Sequence, residues 1–192
     1  MFEGSIIPDP SQHLGAWVVV LVACGLGCLT DLKARRLPNV LTLGLWVTGL
    51  AYSTITGGPI GLGGALAASV VLAVPYVILF LCAGGGAGDA KMMAGVGAWL
   101  GLLDGGLALV SIALVGGLAG VVVSFARGDS RRTLGNLAFA TTGVVGVAYG
   151  QLKPSECLAF MPPSGGTHRI PYGVAILMGV ASAFVGAQLW HG

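Results

Sequence analysis

An all-α, polytopic integral membrane protein with about six transmembrane helices is the fold this sequence predicts, and three observations predict it. Of the 192 residues, 55% are hydrophobic and only 8% are charged, whereas a soluble domain carries roughly 25% charged residues. A chain so poor in charge cannot cover its surface with polar side chains in water. The 34 glycines follow no G-X-Y period and lie among apolar runs, as in membrane helices whose backbones approach closely. Apolar runs near the ~20 residues needed to cross a bilayer recur along the chain. Residues 1–192 therefore read as a single membrane-embedded domain, with a cytoplasmic or interfacial loop at 127–169.

The first predicted span is Leu14 to Thr30, which stops at Asp31. Glu3 and Asp9 precede it instead of a basic segment, and no small-residue cleavage site follows. It reads as a retained helix, not a signal peptide. The second runs from Val40 to Thr56 and ends at Gly57-Gly58-Pro59. The third, Ile60 to Ala83, contains Pro75 as an expected kink. Gly84 to Lys91 reads as a flexible turn. The stretch Met92 to Ala126 divides at Asp104-Gly105-Gly106 into a short fourth helix ending at Leu103 and a fifth from Leu107. Leu134 to Gly150 is uncharged and just long enough to cross, but crossing would export Lys153, so a re-entrant or interfacial segment is favoured over a further span. The last span is Ile170 to Trp190, with Pro171 in its first turn, where a missing N–H costs nothing.

Orientation follows from the basic residues. Lys33, Arg35 and Arg36 follow the first span, and Lys91 opens the fourth. Arg127, Arg131, Arg132, Lys153 and Arg169 lie between the fifth and sixth. With six spans, all nine Lys and Arg fall on one side, which the positive-inside rule makes the cytoplasm. A single long helix over Met92–Ala126 would export Arg127, Arg131 and Arg132.

The same inventory excludes several function classes. No basic stripe interleaved with aromatics is present, so nucleic-acid binding is not expected. Cys24, Cys28, Cys82 and Cys157 form no C-x-x-C and read as small buried hydrophobes or loop residues. His13, His168 and His191 are scattered, and neither H-E-x-x-H nor G-x-S-x-G occurs. No metal site and no serine nucleophile is expected.

Two aspartates demand an explanation, because carboxylates at membrane depth are expensive. Asp31 closes the first span and Asp89 opens the fourth. An even number of crossings separates them, so both return to one face. Paired carboxylates share a proton: the ionised one activates water while the protonated one polarises a peptide carbonyl. Bare Gly86 and Gly88 would let a substrate backbone approach. Other readings stand beside this. Asp31 can offset Lys33, Arg35 and Arg36, Asp89 can cap its helix, or both can relay protons or ions in a transport component. A non-catalytic scaffold of a secretion machine is a further reading.

Three segments resemble the type IV prepilin peptidases, membrane aspartic proteases of the GxGD type. Asp31-Leu32-Lys33-Ala34-Arg35-Arg36-Leu37-Pro38-Asn39 is similar to the family's first aspartate motif, and Gly86-Ala87-Gly88-Asp89-Ala90-Lys91 matches GxGD-x-K. Ile170-Pro171-Tyr172-Gly173 resembles the last-helix segment I-P-[FY]-G-P, with Val174 where the proline often stands. The resemblance implies Asp31 and Asp89 as the catalytic pair. Gly86, Gly88, Lys91, Lys33, Pro171, Tyr172 and Gly173 become candidates for substrate binding or dyad support. Pro38 and Asn39 are expected to stop the loop and cap the second helix.

The resemblance further implies a prepilin-like partner, with a basic leader and a hydrophobic helix, cut at the cytoplasmic face of the inner membrane. The lipid bilayer is the other expected partner. The chain looks like the short, peptidase-only form that serves Tad/Flp-type pili. It lacks the N-terminal paired C-x-x-C domain of the bifunctional members, so neither a methyl donor nor another cofactor is expected.

Overall fold

A computed structural model describes residues 10–34, 37–83, 87–127, 149–150 and 172–191. These residues form four helices: α1 (Pro10–Ala34), α2 (Asn39–Ala83), α3 (Ala87–Arg127) and α4 (Tyr172–His191). The all-α class is as the sequence predicts. Three helices are long and apolar enough to cross a membrane, over Leu14–Ala34, Asn39–Phe80 and Ala87–Ala119, and Gly173–Leu189 is a shorter apolar helix.

Among the described residues there are four helices, three of them of spanning character, which supports the all-α membrane class but not the count of about six spans. Two of the expected pairs each fall within one element, α2 or α3, that bends back at a non-helical glycine. In α2 the non-helical residue is Gly58, with φ 60° and ψ −150°. Trp46 donates its indole N–H to the Ser69 hydroxyl at 3.1 Å, although a straight helix would hold these residues about 35 Å apart. The two arms of α2 therefore lie side by side. Pro59 follows Gly58 at the start of the second arm, where it displaces no hydrogen bond.

In α3 the reversal is at Gly101, with φ 72° and ψ −167°. A Cβ on Gly105 would come within 3.7 Å of the Gly97 Cα, against about 12 Å along a straight helix. The break expected at Asp104–Gly106 is corrected, because those residues are helical. Gly105 serves close packing instead: a Cβ there would sit 2.5 Å from Leu72 Cδ2. Pro75 keeps helical φ/ψ, since Gly58 is the non-helical residue within α2. The first turn of α3 also takes in Ala87–Lys91, which the sequence reads as a turn. Leu134–Gly150 lies outside the described residues apart from a turn at 149–150.

The core lies where α3 packs against α2, α4 and α1, around Trp17, Val20, Leu45, Leu72, Met93, Val96, Ile112 and Val180. Trp17 stacks obliquely on Phe184, with ring centroids 5.7 Å apart. In lipid, apolar burial supplies little drive for helix association, so close backbone packing and interhelical hydrogen bonds carry it. Gly179 of α4 meets the Ile112 backbone, and Gly97 of α3 meets the Ala68 backbone. Ser53 donates to the Ala98 carbonyl at 3.0 Å, and Trp99 to the Leu45 carbonyl at 3.0 Å. Leu26, Val70, Leu114 and Leu118 remain exposed, as lipid-facing side chains are. Buried Cys24 and Cys28 are free thiols, as expected of small hydrophobes; Cys157 lies outside the described residues.

Candidate active site

Three helix ends meet at one rim of the bundle: the last turn of α1, the first turn of α3 and the first turn of α4. A Cβ on Gly27 of α1 would lie 3.1 Å from the Met92 methyl of α3. From that contact Asp31 is about one turn onward in α1, toward its end, and Asp89 is about one turn back in α3, toward its start. Because α1 runs to this rim and α3 begins there, both displacements lead to the same level. Both aspartates are half-buried, and the charge on Asp31 is near enough to act on Asp89.

The third helix end touches Asp31 directly. The Gly173 N–H of α4 donates to Asp31 Oδ2 at 2.9 Å. The approach is so close that a Cβ on Gly173 would lie 3.0 Å from the Cys28 Cα and 3.1 Å from the Asp31 Cβ. Only a residue without a side chain fits between α1 and α4 here without movement.

The α1–α2 connection closes the same rim. Leu37 wedges between two glycines: a Cβ on Gly27 would meet its Cδ2 at 3.1 Å, and a Cβ on Gly88 would meet its Cβ at 3.1 Å. The bare face of Gly88, expected to admit a substrate backbone, is thus occupied by Leu37. Lys91 donates its ammonium to the Asn39 side-chain oxygen at 2.9 Å. This bond ties the start of α2 to the first turns of α3. The cap of α2 is the Pro38 carbonyl, which accepts from Leu41 N–H at 3.1 Å and Thr42 N–H at 3.3 Å. Asn39 accordingly holds Lys91 instead of capping the helix with its side chain.

The predicted residues divide as follows. Asp31, Asp89, Gly88, Lys91 and Gly173 all lie at this rim. Lys33 is exposed on the last turn of α1, where a cation complements the helix dipole. Tyr172 opens α4. Gly86 and Pro171 lie outside the described residues. Leu37, Asn39 as a partner of Lys91, and Cys28 are site neighbours that sequence reasoning did not assign. Leu37 and Asn39 do fall inside the first aspartate segment, which was the available signal. Among the described residues, no three His, Cys, Asp or Glu side chains form a group able to hold a metal ion.

Chemically, the rim offers two carboxyl groups within electrostatic reach, one of them held by a backbone N–H, beside exposed cations. A family model described as the type IV leader peptidase family matches residues 18–125, more than half of the chain. The match takes in both aspartates and ends before α4. No curated protein and no solved structure matches the chain.

Proposed function

The chain belongs to the type IV leader peptidase family, and from that premise we propose that it is a membrane aspartic endopeptidase with Asp31 and Asp89 as its catalytic dyad. It cuts the leader from a prepilin-like precursor, whose hydrophobic helix stays in the bilayer while the basic leader lies at the membrane surface. The observation that carries this reading is the convergence of Asp31 and Asp89 at one rim, from helices far apart in sequence.

The chemistry follows from two carboxyl groups in one site. They cannot both ionise cheaply, so the pair retains one proton. The ionised member takes a proton from water, and the protonated member donates to the scissile carbonyl oxygen. The tetrahedral intermediate then collapses, with the amine leaving as it takes a proton. No covalent enzyme intermediate forms.

The reversals at Gly58 and Gly101 favour a crossing of the bilayer by each arm of α2 and α3. With α1 and α4 this makes six crossings, a finer statement than the three spans that helix length and composition give. The arm 87–100 is about 21 Å long at 1.5 Å per residue, so it fits only where the bilayer thins or the helix end stays at the interface. In this arrangement Lys33, Lys91 and Arg127, at the end of α1, the start of α3 and the end of α3, share one face. By the positive-inside rule that face is cytoplasmic, and the dyad opens toward it in the inner membrane.

The test is cleavage of a candidate precursor by purified protein in lipid. Asp31→Asn and Asp89→Asn each lower the rate by roughly 10³-fold or more while protein levels hold. Normal processing by either variant removes that residue from the mechanism.

A further inference from the structure

We propose that Gly173 is a positioning residue for the dyad: its backbone N–H holds Asp31 as the base that takes the proton of water, leaving Asp89 as the acid. The proposal rests on the peptidase reading and deepens it, because that reading leaves the two aspartates interchangeable.

The geometry separates them. Gly173 is the second residue of α4, so its N–H is one of the first four that find no partner within the helix. It donates to Asp31 Oδ2 at 2.9 Å. A hydrogen bond to an ionised acceptor is roughly twice as strong as one to a neutral acceptor, and the positive end of the α4 dipole adds to it. Both effects favour Asp31 as carboxylate. Asp89 sits in the first turn of its own helix, which gives it a comparable dipole, but no hydrogen bond from a described residue reaches its side chain. Among the described residues, the bond therefore distinguishes the two aspartates.

A second observation points the same way. The space at Gly173 is closed on the Asp31 side, with a Cβ placed 3.0 Å from Cys28 Cα, 3.1 Å from Asp31 Cβ and 3.2 Å from Asp31 Oδ2. Glycine at this position lets the helix end come within hydrogen-bonding distance of the carboxylate. With Oδ2 engaged, Oδ1 is the oxygen left to receive the proton of water.

Among the described residues, the other titratable groups around Asp31 are few. From α1, Cys28 packs against Gly173 and Lys33 is exposed. From α3, Asp89 is within reach of its charge, while Lys91 is engaged by Asn39 of α2. The segment Gly173–Leu189 of α4 bears no titratable side chain.

The step balances as follows. Asp31 Oδ1 takes one proton from water, and the water oxygen bonds to the carbonyl carbon as the Asp89 proton passes to the carbonyl oxygen. In the collapse, the proton on Asp31 passes to the leaving nitrogen, the C–N bond breaks, and one hydroxyl proton of the intermediate returns to Asp89. One water is consumed, and both aspartates regain their starting states.

The experiment compares the full chain in lipid with a backbone ester in place of the residue 173 amide, which removes the N–H and adds no side chain where a Cβ would already lie 3.0 Å from the Cys28 Cα. Gly186→Ala, where a Cβ meets nothing nearer than Leu107 at 3.9 Å, is the control on the same helix. Turnover by the ester variant falls about 10-fold with KM for the precursor within about twofold. Gly186→Ala changes neither. A folded ester variant with wild-type turnover overturns the proposal.

The infrared carboxylate band of Asp31, isolated as the difference between wild type and Asp31→Asn, reads the bond without turnover. It shifts on ester replacement even if no precursor is ever cut, in which case the peptidase reading fails and the Gly173–Asp31 contact stands. An unshifted band overturns the contact itself.

Discussion

Glycine does different work at the two ends of this bundle. At the dyad rim, Gly27, Gly88 and Gly173 sit where an added Cβ would lie 3.0 to 3.1 Å from a neighbour. They lie in helices and supply space. At the reversals, Gly58 and Gly101 have nothing within 4 Å of an added Cβ, yet their φ values are 60° and 72°. These two supply a torsion that L-residues rarely adopt. The comparison teaches that a glycine-rich membrane chain is not uniformly loose. One set of glycines lets three helix ends and a loop close on two carboxylates, while the other bends helices back so that those ends can meet.

Enlarging the dyad rim gives the larger effect on activity. Gly88→Val drives a side chain into Leu37, which must move, and the first turn of α3 carries Asp89 with it. A displacement of about 1 Å in a catalytic group can cost roughly 10²-fold in rate, and that is the loss expected in precursor cleavage. Gly88→Ala falls between Val and wild type, because the damage scales with volume. Equal activity across Gly, Ala and Val at position 88 would mean that the rim does not depend on this space.

The reversal end responds to handedness instead of volume. Gly101→Ala places an L-residue at φ 72°, ψ −167°, a region nearly reserved for glycine, at a cost of about 1–3 kcal/mol. D-alanine, introduced by semisynthesis, adopts the mirror of an ordinary extended conformation there and is expected to retain wild-type stability. Thermal unfolding in lipid or detergent compares the two. Loss of stability with both enantiomers would show that space, not torsion, governs position 101.

The same distinction explains how much was legible in the sequence. Asp31 and Asp89 were legible because ionisable groups at the ends of apolar runs have few structural excuses, and because an even number of crossings returns the chain to one face. The reversal after Thr56 was legible from Gly57-Gly58-Pro59, where two glycines precede a proline. The break in the next pair was misplaced, since Gly101, Gly105 and Gly106 look alike in sequence. Only packing against Leu72 shows that Gly105 is used for space. The apparent turn at Gly84–Lys91 hid the start of a helix for a related reason: glycine content lowers helix propensity but does not override a packed neighbour such as Leu37. The 2.9 Å bond from Gly173 to Asp31 joins residues 142 positions apart, and no local pattern encodes such a pairing.

The weakest tie at the dyad rim is the one between Lys91 and Asn39. Sequence reasoning favoured Lys91 as a group near the substrate or the dyad, but its ammonium is bonded to the Asn39 side-chain oxygen at 2.9 Å, on the exposed side of the rim. The α1–α2 connection is already held by Leu37 between Gly27 and Gly88, so the polar tie adds little to the closure. An exposed hydrogen bond of this kind contributes about 0.5–1 kcal/mol. Lys91→Met, Asn39→Ala and the double variant form a thermodynamic cycle on thermal stability, with an expected coupling in that range. If Lys91 serves as a latch, both single variants lower cleavage by a similar small factor, and the double variant is no worse than either. If it contacts the leader or the dyad, Lys91→Met lowers activity far more than Asn39→Ala, and the latch role is lost.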